Sequence, residues 1–168
     1  FSDRDAGAMK LQATTGDISL ENGSRVRVST ENGSGDGGAL VLMASLGSIR
    51  LSGGSSAESS SVNFSTGNGG SIIAQAGNLI SLSGTGTGLF SVTDATSAGS
   101  GGDITATAGK SMNLNDGASI SASSTGPANA GNIAINAGAQ FLSQTAAVTT
   151  QASQASGGNI TIQATDSI

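Results

Sequence analysis

Along this chain apolar residues come in short bursts, two residues apart, with polar residues between them. That is the spacing of a strand with one buried face, not of a helix. In Gly101-Gly102-Asp103-Ile104-Thr105-Ala106-Thr107-Ala108, the residues Ile104, Ala106 and Ala108 fall on one side and Asp103, Thr105 and Thr107 on the other. The phrase returns as Gly157-Gly158-Asn159-Ile160-Thr161-Ile162, Ala130-Gly131-Asn132-Ile133-Ala134-Ile135, Gly69-Gly70-Ser71-Ile72-Ile73-Ala74 and Gly37-Gly38-Ala39-Leu40-Val41-Leu42. A degenerate copy, Ala6-Gly7-Ala8-Met9-Lys10-Leu11, precedes them. The second glycine of each copy stands at 7, 38, 70, 102, 131 and 158, so the steps are 31, 32, 32, 29 and 27 residues. A period near 30 is the signature of a repeat architecture, in which each unit buries its apolar face only by stacking on its neighbours.

Each period holds two further bursts. The second comprises Ile18 and Leu20, Ile49 and Leu51, Ile80 and Leu82, Met112 and Leu114, and Phe141 with the polar Ser143; Ile168 falls where Met112 would. A corner rich in Asn, Asp and Gly follows, as in Glu21-Asn22-Gly23 and Asn115-Asp116-Gly117, residues that accept left-handed backbone. The third burst is read as Val26 and Val28, Val62 and Phe64, Phe90 and Val92, Ile120 and Ala122, and Val148 and Thr150. Length variation is assigned to residues 53–61 and to the Ser/Gly/Asn-rich connections such as 97–101 and 123–130.

Three strands and three corners per period describe one coil of a parallel β-solenoid of roughly triangular section. The fold class is all-β, a single domain over residues 1–168 with about five and a half coils. Strand spacing of about 4.8 Å gives a rod of roughly 25 Å along its axis. The expected core ladder runs Leu40, Ile72, Ile104, Ile133, Ile160, with Leu42, Ile135 and Ile162 in a second file. Phe64 and Phe90 are expected to stack on one another between neighbouring coils, and Asn, Ser and Thr at equivalent corners to form ladders. A β-sandwich or an up-and-down barrel also has frequent turns, but neither requires the sequence to resemble itself at every third strand.

Composition agrees with a narrow core. The chain has 27 Gly, four Phe, and no Trp, Tyr, His or Cys. Without His or Cys there is no Ser-His-Asp or Cys-His nucleophile and no thiolate or imidazole metal site. A net charge of -5 argues against a nucleic-acid partner, and no apolar run is long enough to insert in a membrane. Paired carboxylates remain the one route to catalysis, as in solenoid glycosidases and lyases, but the acids are scattered over several copies, so the chain is read as no enzyme, with no cofactor. Asp36 and Asp103, each in a Gly-rich stretch, are the weak calcium candidates; one isolated Asp supplies too few oxygens for the ion. Arg25 and Arg27 flank Val26, face outward, and form a basic spot suited to a glycan or an acidic neighbour, though a solvated strand face accounts for them as well. An ice-binding face would need Thr in every coil, whereas the outward positions include Lys10, Val41 and Ile73.

The string Gly-Gly-Asp-Ile-Thr-Ala-Thr-Ala-Gly at 101–109, with Leu114-Asn115-Asp116-Gly117-Ala118-Ser119-Ile120 and Gly131-Asn132-Ile133, resembles the repeats of filamentous-haemagglutinin-like large exoproteins. The resemblance covers 101–168 well and 7–100 more loosely. It implies a right-handed β-helical shaft, two-partner secretion and a place at the surface of Gram-negative bacteria, cyanobacteria included. The expectation is a structural or adhesive extracellular shaft or filament, either a slice of a longer chain or a subunit stacking end to end, that meets surface glycans or neighbouring cells. A carbohydrate-binding or carbohydrate-cleaving solenoid is the alternative.

Overall fold

The computed structural model describes residues 4–168 and contains strands and corners but no helix among them. The first coil is β1 (Met9–Ala13), β2 (Ile18–Leu20) and β3 (Arg25–Glu31), and the second is β4 (Leu40–Ala44), β5 (Ile49–Ser52) and β6 (Ser56–Val62). The third is β7 (Ile72–Ala76), β8 (Leu79–Ser83) and β9 (Gly88–Thr93), and the fourth is β10 (Ile104–Ala108), β11 (Ser111–Asn115) and β12 (Ser119–Ser124). The fifth is β13 (Ile133–Ala137), β14 (Gln140–Gln144) and β15 (Ala147–Thr149), after which β16 (Ile160–Ala164) begins a sixth. Every pairing is parallel and joins like to like, giving three sheets in the orders β1-β4-β7-β10-β13-β16, β2-β5-β8-β11-β14 and β3-β6-β9-β12-β15. This is a right-handed parallel β-helix with three strands per coil.

The first sheet has the register its sequence dictates. Ile104 lies between Ile72 and Ile133, and the file continues to Leu40 and Met9 on one side and Ile160 on the other. The second file is Leu11, Leu42, Ala74, Ala106, Ile135 and Ile162. Leu40, Leu42, Ile72, Ile104 and Ile135 are fully buried. Burying one such side chain contributes about 1.5–3 kcal/mol, and like residues stacked in file fill the narrow prism without large rings. In the second sheet Leu20, Leu51, Leu82 and Leu114 align, and the lone bridge from Gln140 to Ser167 sets Ile168 opposite Phe141.

The paired glycines owe their place to contact between coils. A Cβ on Gly38, Gly70, Gly102, Gly131 or Gly158 would overlap a carbonyl oxygen of the coil before it, for Gly102 those of Gly69 and Gly70. At the corner after the second strand, Asn22, Gly23, Gly53, Gly54, Asp116 and Gly117 take positive φ, as Asn-Gly and Asp-Gly composition requires.

The third sheet corrects the sequence reading in two coils. The inward files are Val26, Ala57, Leu89, Ile120, Val148 and then Val28, Ser59, Ser91, Ala122. Val62, Phe90 and Val92 therefore face outward, and residues 56–61, taken for part of a variable loop, form β6 together with Val62. A slip of one residue sends every side chain to the opposite face. Phe64 does not stack on Phe90: it lies past the end of β6 at a φ of 61°, 74% exposed, its N–H donating to Thr96 Oγ1 at 3.0 Å. The partners of Phe90 across the sheet are Glu58 and Ser121.

Hydroxyls take the inward places that the sequence reading gave to apolar groups; corner carbonyls accept from several of them, while Thr93 Oγ1 and Ser124 Oγ are buried without a partner. Ser59 Oγ donates to Gly38 O at 2.8 Å, and Ser91 Oγ donates to Gly70 O at 2.9 Å while accepting from Gly102 N at 3.0 Å. In the next file inward, Thr30 Oγ1 donates to Asp36 O and Ser61 Oγ to Gly67 O, both at 2.8 Å. The sheet is thus sealed to the third corner by buried hydrogen bonds where bulk is scarce.

Candidate functional site

Polar side chains that a sequence offers as chemistry are mostly engaged in holding one coil to the next. At the third corner Asp5 Oδ1 accepts from Asp36 N at 2.8 Å, Asp36 Oδ1 from Asn68 N at 2.7 Å, and Asn68 Oδ1 from Ser100 N at 2.9 Å. A second file, three residues further along each coil, runs from Asp103 Oδ1 to Asn132 N at 2.7 Å and from Asn132 Oδ1 to Asn159 N at 2.9 Å. Asp17 Oδ1 accepts from Ser48 N at 2.7 Å at the first corner. A short acceptor side chain reaches one strand spacing along the axis, and this is the corner ladder that the Asn-rich composition predicts.

The calcium candidates Asp36 and Asp103 lie in different files of this ladder and in different coils, each with its Oδ1 on a backbone N–H. No cluster of three or more acidic residues able to hold a metal ion occurs among the described residues. Asp94 accepts four hydrogen bonds, from Asn63 N, Thr96 N, Thr96 Oγ1 and Ser97 Oγ, at 2.8–3.0 Å. Partial burial pushes its carboxyl upward, but these bonds together outweigh that and hold it below the ordinary value of 3.8.

Arg25 and Arg27 do face outward on β3, and the fold gives them partners within the sheet. Arg25 Nε lies 3.1 Å from Glu58 Oε1, and Arg27 Nη2 lies 3.6 Å from Glu31 Oε1. Arg27 also donates from Nε and Nη2 to Ser60 Oγ at 3.3 Å. Glu58 accepts a further bond from Ser56 Oγ at 2.7 Å. These groups border a depression of about 270 Å³ on the outer face of the third sheet, lined by Arg27, Glu58, Ser60, Val62, Phe90 and Val92. Sequence reasoning found the arginines but placed the apolar lining in the core. The corner offers the signal it passed over: Gly23, Gly54, Gly86 and Gly117 each stand three residues before the inward side chain, which identifies Ala57 and Leu89. A smaller hollow of about 220 Å³ is lined by Arg4, Asp5, Ala6, Ser29, Thr30 and Glu31.

No helix is long and apolar enough to cross a membrane among the described residues. Comparison of the chain with protein-family models, with curated proteins and with solved structures finds no match. The class reached on structure alone is a β-solenoid repeat protein.

Proposed function

We propose that the chain is a structural segment of an extracellular shaft, a length of β-solenoid that presents its outer faces and corners for weak, multivalent contacts at a bacterial surface. One observation carries this reading. The file that buries Leu40, Ile72 and Ile104 completely leaves Met9 39% and Ile160 43% exposed in the outermost coils. The outer edges of β1 and β16 also carry backbone groups outside the ladder, and an uncovered strand edge is a template for another strand. Both features favour a second copy stacked coil on coil at these ends.

The non-enzymatic part of the reading is supported by the carboxylates. Asp5, Asp17, Asp36, Asp94 and Asp103 each accept a hydrogen bond from the backbone of an adjacent coil. The secreted, surface location rests on the resemblance of the repeats to filamentous-haemagglutinin-like exoproteins. Electron microscopy of the purified protein tests the proposal. Rods whose lengths are multiples of about 25 Å, shortened when Ile160→Arg places a charge on the exposed coil, are expected; isolated short particles at every concentration contradict it.

A further inference from the structure

The depression on the third sheet has a lining that is unusual for a solvated strand face. Its lining falls in rows across neighbouring strands: Arg27, Glu58 and Phe90 in one, Ser60 and Val92 in the next, with Val62 beyond them. Phe90 is one of four phenylalanines in the chain and does not stand off the sheet. A Cβ on Gly88 would come within 2.6 Å of Phe90 Cζ, so the far end of the ring lies back over residue 88, along its own strand. Two residues of strand span about 6.6 Å, so a ring reaching that far back is laid along the sheet. Gly88 leaves the room for it.

Beside this platform stand donors and acceptors that the sheet has already fixed. Arg27 is held by Ser60 and Glu31, and Glu58 by Arg25 and Ser56. The two arginines and two glutamates balance, so the rim offers hydrogen bonds of both senses without a net charge. An aromatic ring laid along the sheet and flanked by a neutral, preordered polar rim complements a ligand that is itself apolar on one face and hydroxylated round its edge. The volume of about 270 Å³ is smaller than drug-sized pockets of roughly 300–1,000 Å³ and suits a single ring.

We infer that this depression is a binding subsite for one uncharged pyranose ring, stacked by its C–H face on Phe90 with its hydroxyls on Arg27, Glu58 and Ser60. It gives a ligand class to the adhesive part of the proposed function and stands whether or not the rod elongates. A ligand of about a dozen heavy atoms at ordinary efficiency binds with a Kd on the order of 1 mM, so strong attachment requires several copies along a shaft.

The test is NMR of the protein with labelled phenylalanine rings, titrated with the methyl pyranosides of glucose, galactose, mannose and N-acetylglucosamine, each to about ten times that Kd. At least one is expected to shift the Phe90 ring saturably while the Phe64 and Phe141 rings stay still. Phe90→Leu, which keeps an apolar side chain but removes the flat face, is expected to weaken binding by about tenfold or more, and Phe90→Tyr to retain it. Circular dichroism of both variants reports that the fold is kept. Three results overturn the inference: no saturable shift with any pyranoside, an equal response to cyclohexanol, or undiminished binding in Phe90→Leu. None of them bears on rod length, which micrographs read separately.

Discussion

Replacing Ser91 by alanine removes one buried atom that joins three coil elements. Its Oγ donates to Gly70 O at 2.9 Å and accepts from Gly102 N at 3.0 Å, and the residue is fully buried. The substitution deletes a hydroxyl from a site lined by backbone, so a carbonyl and an amide both lose this partner where water has little access. Such losses lie at about 1–3 kcal/mol each, and about 1–2 kcal/mol for each of these two backbone groups gives about 2–4 kcal/mol for the pair. With a urea dependence of about 2 kcal/mol per M for a chain of this size, the unfolding midpoint should fall by about 1–2 M. Hydrogen exchange gives the local readout: the Gly102 amide should exchange faster by a factor of about 30 to 1,000, the same energy expressed as a rate. Ser123→Ala, on the outward face of β12, serves as the control and should lie within about 0.5 kcal/mol of wild type. If Ser91→Ala is no more costly than Ser123→Ala, the inward register of the third sheet is wrong.

Other substitutions test other links. Gly102→Ala should destabilise by about 3 kcal/mol, because its methyl must displace the Gly69 and Gly70 carbonyls; equilibrium denaturation measures this. Ile104→Ala, in a fully buried file, should cost about 3–4 kcal/mol, while Thr105→Ala on the other face of the same strand should cost under about 0.5 kcal/mol. Thr93 Oγ1 is buried without a hydrogen-bond partner, so Thr93→Val should be neutral or raise stability by up to about 1 kcal/mol in a thermal melt. The Asp94 carboxyl is held below its ordinary value of 3.8, so its stabilising contribution is complete above that pH and is lost as pH falls through the lowered folded value. Acid titration of stability should accordingly be shallower in Asp94→Asn than in wild type below about pH 4.

The first and second sheets were legible because each copy carries its own markers. A glycine pair with no room for a Cβ, followed by Ile or Leu at alternate places, fixes strand, face and register together, as for Ile72, Ile104 and Ile133. The third sheet was legible where apolar residues face inward, at Val26, Val28, Ile120 and Ala122. It was misread in coils two and three, where Ser59, Ser61, Ser91 and Thr93 occupy the core and Val62, Phe90 and Val92 the surface. Hydrophobicity alone chooses the wrong face there, because corner carbonyls make the interior hospitable to hydroxyls. The outer depression was hidden by the same inversion: with Phe90 placed inside, Arg27 and Glu58 had no apolar neighbour to form a site with. The corner acceptors were foreseen as ladders but not as particular pairs, since the reach from Asp36 to Asn68 depends on coil height, which local sequence does not report.

The most direct test of the stacked architecture is a pair of spin labels on one outward file. Gln12 and Gln163 occupy equivalent places on β1 and β16, joined through Met43, Gln75, Thr107 and Asn136. The chain has no cysteine, so Gln12→Cys and Gln163→Cys label those two sites alone. Five strand spacings predict a backbone separation of about 24 Å by pulsed dipolar spectroscopy, with a narrow distribution. A broad distribution, or a separation beyond about 35 Å, would contradict the rod of in-register coils.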